Sequence, residues 1–173
     1  RVAVSQEAIE MARRLGDSEA LVTALHSRHW ALTTPGMALE RLSARLGYEF
    51  PLMREVGRLN DEAVAAAAAR VEETLWNLED KRIALLGLSF KPGTDDVRLS
   101  PALALARKLI GEGAEVVGYD PEAGPNAKSD LPELVVAPGV YDALEGAHCV
   151  VVCTEWDEFR SLDLDRAKEL LAH

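Results

Sequence analysis

The chain has 173 residues, 48% of them apolar, and a formal net charge of −10. That length holds one good-sized domain, or one domain with a helical extension, and the apolar share is enough to bury a core. The acidity excludes general nucleic-acid binding, which demands a cationic face, yet it leaves room for a small anionic ligand held by one or two local cations and backbone N–H groups. No apolar run approaches the roughly 18–20 residues that span a bilayer. The opening RVAVSQEAIEMARRLGD lacks the unbroken apolar core of a signal peptide. A cytoplasmic protein is expected, with no membrane and no nucleic-acid partner and no metal site.

Residues 1–42 are charge-neutral and read as helical. Ala8, Met11, Ala12 and Leu15 keep one face apolar, Gly16 ends that run, and Leu21, Ala24 and Leu25 begin another. This helix–turn–helix pattern resembles a unit of tetratricopeptide-like arrays, though no second copy follows. Thr33-Thr34-Pro35-Gly36 breaks the pattern. Leu39, Leu42 and Leu46 mark a further helix that stops at Gly47, and another begins after Phe50-Pro51 with Leu52, Val56 and Leu59 on one side. Asn60 and Asp61 are placed to cap the alanine-rich helix that follows, Ala63–Leu78, in which Val64, Ala68, Val71 and Leu75 form one stripe. Such a stripe serves either as a subunit-joining surface or as the face that packs on its own domain.

From Asp80 the period changes. Ile83–Leu86 reads as a short buried strand ending at Gly87, and Ser100-Pro101 as an N-cap followed by proline in the first turn. Ala102, Leu105, Ala106, Leu109 and Ile110 then keep helical spacing up to Gly111 and Gly113. Val116–Tyr119 is a second strand closed by Asp120-Pro121, Leu134–Val136 a weaker third, Val140–Glu145 a helix, and His148–Cys153 the most apolar strand, expected to be buried on both faces. Trp156–Arg160 and Asp165–Leu171 read as short helices. The alternation predicts an α/β fold, a Rossmann-like doubly wound parallel sheet preceded by a helical segment. The two cysteines, Cys149 and Cys153, stand four residues apart in one strand, about 13 Å at roughly 3.3 Å per residue, too far for a disulfide. They read as small core hydrophobes in a reducing compartment.

The stretch that carries chemistry is Gly87-Leu88-Ser89-Phe90-Lys91-Pro92-Gly93-Thr94-Asp95-Asp96-Val97-Arg98, the loop after the first strand. Open α/β sheets bind ligands at the carboxyl ends of their strands. The loop is not a GxGxxG fingerprint, but it holds two cations. Lys91 offers a compact charge for a phosphate or sugar oxygen, and Arg98 offers a bidentate fork. Asp95 and Asp96 are placed to orient those cations or to cap the turn. A loop of two cations and two acids also has a plainer reading, a solvated salt-bridge cluster.

GLSFKPGTDDVRLSPA resembles the GLxFKPxTDDxRxSPA segment of the UDP-glucose/GDP-mannose dehydrogenase family. LGYEFPLMREVGRLN, GAEVVGYDP and EGAHCVVVCTEWDEF resemble further family segments in the expected order, so the resemblance covers roughly residues 43–173. It implies a central helical, dimer-forming region at 43–79, with a possible homodimer through residues 52–78, and a UDP-binding Rossmann-like domain at 80–173, truncated at its C-terminus before a further substrate-binding arginine. It implies a UDP-sugar ligand contacted by Phe90 and Lys91, and NAD as cofactor with Arg98 reaching it across a domain cleft. The family oxidises the sugar 6-hydroxyl to a carboxylate with two NAD in sequence. Asp120 stands where an ordinary dinucleotide fold keeps its ribose acid, but before Pro121 it reads as a turn former, and Glu155-Trp156 reads as structural.

The family's nucleophilic cysteine lies about fifteen residues before the LGY signature, and counting back from Leu46-Gly47-Tyr48 lands on His29-Trp30-Ala31-Leu32. A thiol is required for the thiohemiacetal and thioester of a double oxidation. Ala31 supplies none, and His26 and His29 read as solvated or packing residues. The glycine-rich NAD fingerprint is missing as well. No catalytic residue is therefore assigned, and the chain is expected to be inactive alone. The alternative is a non-catalytic helical and α/β remnant that acts in subunit association.

Overall fold

The structure is a computed structural model that describes residues 51–172. The helix–turn–helix reading of residues 1–42, the helix at Leu39–Leu46, His26, His29 and Ala31 lie outside the described residues.

The first described element is one continuous helix, α1 (Pro51–Leu75), of 25 residues. Asn60 and Asp61 do not start a new helix as the sequence reading had it, because nothing there breaks the old one. Both side chains are exposed, and the alanine-rich run beyond them has the highest helix propensity in the chain. Pro51 sits in the first turn, where a missing N–H costs nothing. The helix ends at Trp76, whose φ of 64° lies in the left-handed region.

The compact unit that begins at Asn60 holds the sheet. Its strands are β1 (Arg82–Leu86), β2 (Glu115–Tyr119), β3 (Val135–Val136) and β4 (Cys149–Val152), all parallel, in the order β3-β2-β1-β4. The helices between and after them are α2 (Pro101–Gly111), α3 (Gly124–Asp130), α4 (Val140–Leu144), α5 (Asp157–Arg160) and α6 (Leu164–Leu170). Ser100 caps α2 by accepting a hydrogen bond from the Leu103 N–H at 3.4 Å, with Pro101 behind it, as the sequence indicated.

Strand alternation divides the core into two layers. Ile83, Leu85 and Val116 face a cluster that includes Leu103, Leu109 and Ala127, while Ala84, Leu86 and Val117 face Val140, Leu144 and Phe159. Helices therefore cover both faces, and the doubly wound arrangement is present. Ala68 and Val71 of α1 are buried in the first cluster, with Val64 and Leu75 packed against it. The apolar stripe of this helix thus lies on its own domain, at roughly 1.5–3 kcal/mol of stabilisation for each large side chain fully buried.

Two expectations need correction. β4 is not buried on both faces: Val152 is 59% exposed and Cys149, Val150 and Val151 are half-buried. The strand pairs only with β1, so among the described residues it forms an edge of the sheet. Helix α3 was not foreseen, because GPNAKSD carries a glycine, a proline and one apolar side chain and is too short to show a period. Its proline sits in the first turn, where it starts a helix rather than breaking one.

Candidate functional site

The chain runs β1, β2, β3 to one side and then crosses to place β4 on the other side of β1. This reversal is the point at which open α/β sheets form a ligand crevice. The loop after β1 and the turn after β4 meet there.

The foot of the β1 loop is fixed by sterics and by one carboxylate. Gly87 has φ 93°, and a Cβ on it would lie 2.5 Å from the Thr154 Cβ and Oγ1. A Cβ on Gly118 would lie 2.8 Å from Leu88 Cδ2. Glycine is required at position 87 for the β1 loop and the β4 turn to approach, whereas a side chain at position 118 would force Leu88 to shift. Asp120, 6% exposed at the end of β2, accepts six hydrogen bonds. Its Oδ2 takes the N–H groups of Leu88 (2.7 Å) and Ser89 (2.9 Å), the Ser89 hydroxyl (2.9 Å) and the Trp156 indole N–H (3.3 Å). Its Oδ1 takes the N–H groups of Glu122 (3.0 Å) and Ala123 (2.8 Å). Burial acts to raise the Asp120 pKa, but the Ala123, Glu122, Ser89 and Leu88 N–H groups together outweigh it and hold the carboxyl below its ordinary value. Thr154 adds a hydroxyl bond to the Ser89 carbonyl at 3.2 Å.

The crest of the loop is exposed. Phe90 N–H donates to the Asp96 carbonyl at 2.8 Å and closes the span between them, and Gly93 takes the left-handed conformation (φ 74°) that the bend requires. Arg98 forks onto Asp96, with Nε to Oδ1 at 2.9 Å and Nη2 to Oδ2 at 2.6 Å. The guanidinium holds Asp96 down to about 2, the first cause being this side-chain hydrogen bond. Among the described residues Asp95 does not orient a cation: the Asn126 amide of α3 donates to its carbonyl at 3.0 Å and its carboxylate at 3.1 Å. Leu99, just before the α2 cap, has φ 56° and a half-exposed side chain.

The sequence-derived site residues therefore fall on one loop in two different settings. Phe90 is 54% exposed and Lys91 is exposed, and among the described residues Lys91 has no carboxylate partner. Arg98 is engaged with Asp96. A cleft of about 470 Å³ is lined by Thr94, Asp95, Asp96, Val97, Arg98 and Asn126, and Phe90 and Lys91 are not among its walls. Sequence reasoning missed Ser89, Thr154 and Asn126 as supports. Asp120 does form the turn before α3, and it also ties the loop, a role that no local pattern signals.

The described residues do not make a dinucleotide cradle. The acid that would meet a ribose is saturated by internal donors, and the loop after β1 lacks the GxGxxG spacing. Neither thiol is a ready nucleophile: burial pushes Cys153 up to about 12 and raises Cys149 as well. Among the described residues no group of three or more His, Cys, Asp or Glu is placed to hold a metal ion, and no helix is long and apolar enough to cross a membrane.

Residues 84–173 match the profile described as "UDP-glucose/GDP-mannose dehydrogenase family, UDP binding domain". The chain is 43% identical over 117 residues to the UDP-glucose 6-dehydrogenase AglM of Haloferax volcanii, covering 68% of this chain and 27% of that protein. It is 46% identical over 95 residues to the UDP-glucose 6-dehydrogenase of Rhizobium meliloti, covering 55% and 22%. The chain thus spans about a quarter of the length of these relatives. The solved UDP-glucose dehydrogenase of Pyrobaculum islandicum superposes with a TM-score of 0.67 at 29% identity, over 80% of this chain and 35% of that one. Profile, relatives and fold agree: the chain belongs to the UDP-glucose/GDP-mannose dehydrogenase family, through its UDP-binding domain.

Proposed function

We propose that this chain holds the UDP-sugar in a nucleotide-sugar 6-dehydrogenase that oxidises the sugar 6-hydroxyl to a carboxylate with NAD. The observation that carries this reading is Lys91, an exposed ammonium without a carboxylate partner among the described residues, displayed beside Phe90 on a loop whose foot is fixed. Lys91 meets an anionic oxygen of the ligand as a point charge, and Phe90 offers an apolar face beside it. Arg98, kept in one orientation by Asp96, is the contact assigned to NAD, which this domain does not cradle by itself. The chain alone does not turn over substrate, because its only two thiols are the half-buried Cys149 and Cys153, whose pKa values are raised by burial. The cytoplasm, with its nucleotide sugars destined for polysaccharides, is the setting that this reading implies.

Calorimetric titration with UDP, UDP-glucose and GDP-mannose tests the binding. Saturable UDP binding is expected, and Lys91→Ala should weaken it by about tenfold or more, the loss of one charge-assisted hydrogen bond. Unchanged affinity in the variant removes Lys91 from the site. Protein-dependent NADH formation from UDP-glucose and NAD would overturn the inactivity. The alternative, a remnant that acts in subunit association through residues 52–78, has less support, since Val64, Ala68, Val71 and Leu75 are taken by their own domain. Val56 and Leu59 remain exposed, and sedimentation over a range of concentrations decides whether they join subunits.

A further inference from the structure

In the dinucleotide-binding Rossmann fold the acid at the end of the second strand hydrogen-bonds the ribose of the ligand. Here that acid points inward. Asp120 links three segments that are distant in sequence: the start of the β1 loop through Leu88 and Ser89, the start of α3 through Glu122 and Ala123, and the turn after β4 through Trp156. Ser89 is the residue before Phe90, and its carbonyl is held from the other side by Thr154. The α3 segment in turn carries Asn126, which holds Asp95 at the far side of the same loop. One carboxylate therefore fixes the loop directly at its start and indirectly at its crest.

We propose that Asp120 is a positioning residue for ligand binding, setting the placement of Phe90 and Lys91 without touching the ligand. An ionised carboxylate suits this task because it only accepts, and all six of its partners donate. Asparagine has the same shape but replaces one oxygen by an NH₂ group, which then faces N–H donors on one side or the other. The Asp120→Asn variant should therefore release the loop while leaving the sheet and α2 in place.

Hydrogen exchange on the full chain tests the positioning without any ligand. In Asp120→Asn, amides of residues 88–98 should exchange at least about tenfold faster, the effect of freeing a local opening, with β1 and α2 unchanged. Equal acceleration across the whole domain, or no acceleration in the loop, overturns the proposal. A second arm rests on the UDP-binding reading. Asp120→Asn should weaken UDP binding about tenfold in the otherwise native chain and less in a Lys91→Ala background, where only the placement of Phe90 is left to lose, because residues that act through one another are not additive. An equal loss in both backgrounds, or none in either, also overturns it. If the native chain binds no UDP, the binding reading falls and the exchange result alone decides the positioning role. Should Asp120→Asn fail to fold, Ser89→Ala removes a single bond to the same carboxylate and must still accelerate exchange in the loop.

Discussion

Asp120 and Asp96 are both carboxylates at the carboxyl end of the sheet, and both are held below their ordinary pKa. The causes differ. Asp96 is lowered by one guanidinium, on a side chain that is 36% exposed, across two residues of the same loop. Asp120 is buried and lowered by backbone N–H groups from segments far apart in the chain, against the opposing effect of its burial. The first arrangement orients a neighbour and is screened by water, so it contributes little to stability. The second is a junction: removing it leaves several buried donors without partners. Similar directions of pKa shift thus mark one acid that shapes the crest of the loop and another that holds its foot.

Mutations sharpen that contrast. Asp120→Ala should have the largest effect, about 3 kcal/mol or more, since each buried donor left unsatisfied costs about 1–3 kcal/mol; chemical denaturation checks it, and a loss below about 1 kcal/mol would show that water replaces the carboxylate readily. Gly87→Ala should cost about 2–3 kcal/mol, because it combines a left-handed φ with a Cβ at 2.5 Å from Thr154. The paired variant Gly87→Ala/Thr154→Gly, which removes the Cβ and Oγ1 that the new methyl would meet, should recover part of this, and no recovery would place the strain in the backbone.

Acid should act next. Both carboxyls have folded-state pKa values below those of the unfolded chain, so their stabilisation is complete above about pH 4 and is lost as the pH falls through the folded values, near 2 for Asp96. Melting followed from pH 5 to pH 2 should show a fall that flattens in Asp120→Asn and in Asp96→Asn. The smallest effect is expected for Asp96→Asn at neutral pH, under about 1 kcal/mol; a larger loss would mean that Arg98 and Asp96 are less hydrated than their exposure indicates.

Much of the fold is legible in the residues. Ile83–Leu86, Val116–Tyr119 and the apolar run before Cys153 announce strands by length and composition, and Ser100-Pro101 announces a helix start. The loop with Lys91 and Arg98 stands out by its place after the first strand and by its FKPGTDD motif. Less visible were the continuity of α1 through Asn60-Asp61 and the short α3, where propensity and capping signals conflict over a few residues.

The sequence by itself determined the parallel α/β class, the place of the loop and the family, because alternation, caps and motifs are local and survive in one dimension. Tertiary structure alone decided that the α1 stripe packs on its own domain, that β4 lies at an edge among the described residues, and that Asp120 holds the loop. Each of these depends on which distant segments meet. A carboxylate's partners, 31–36 residues away at Leu88, Ser89 and Trp156, are chosen by strand order and burial, and no spacing along the chain encodes them.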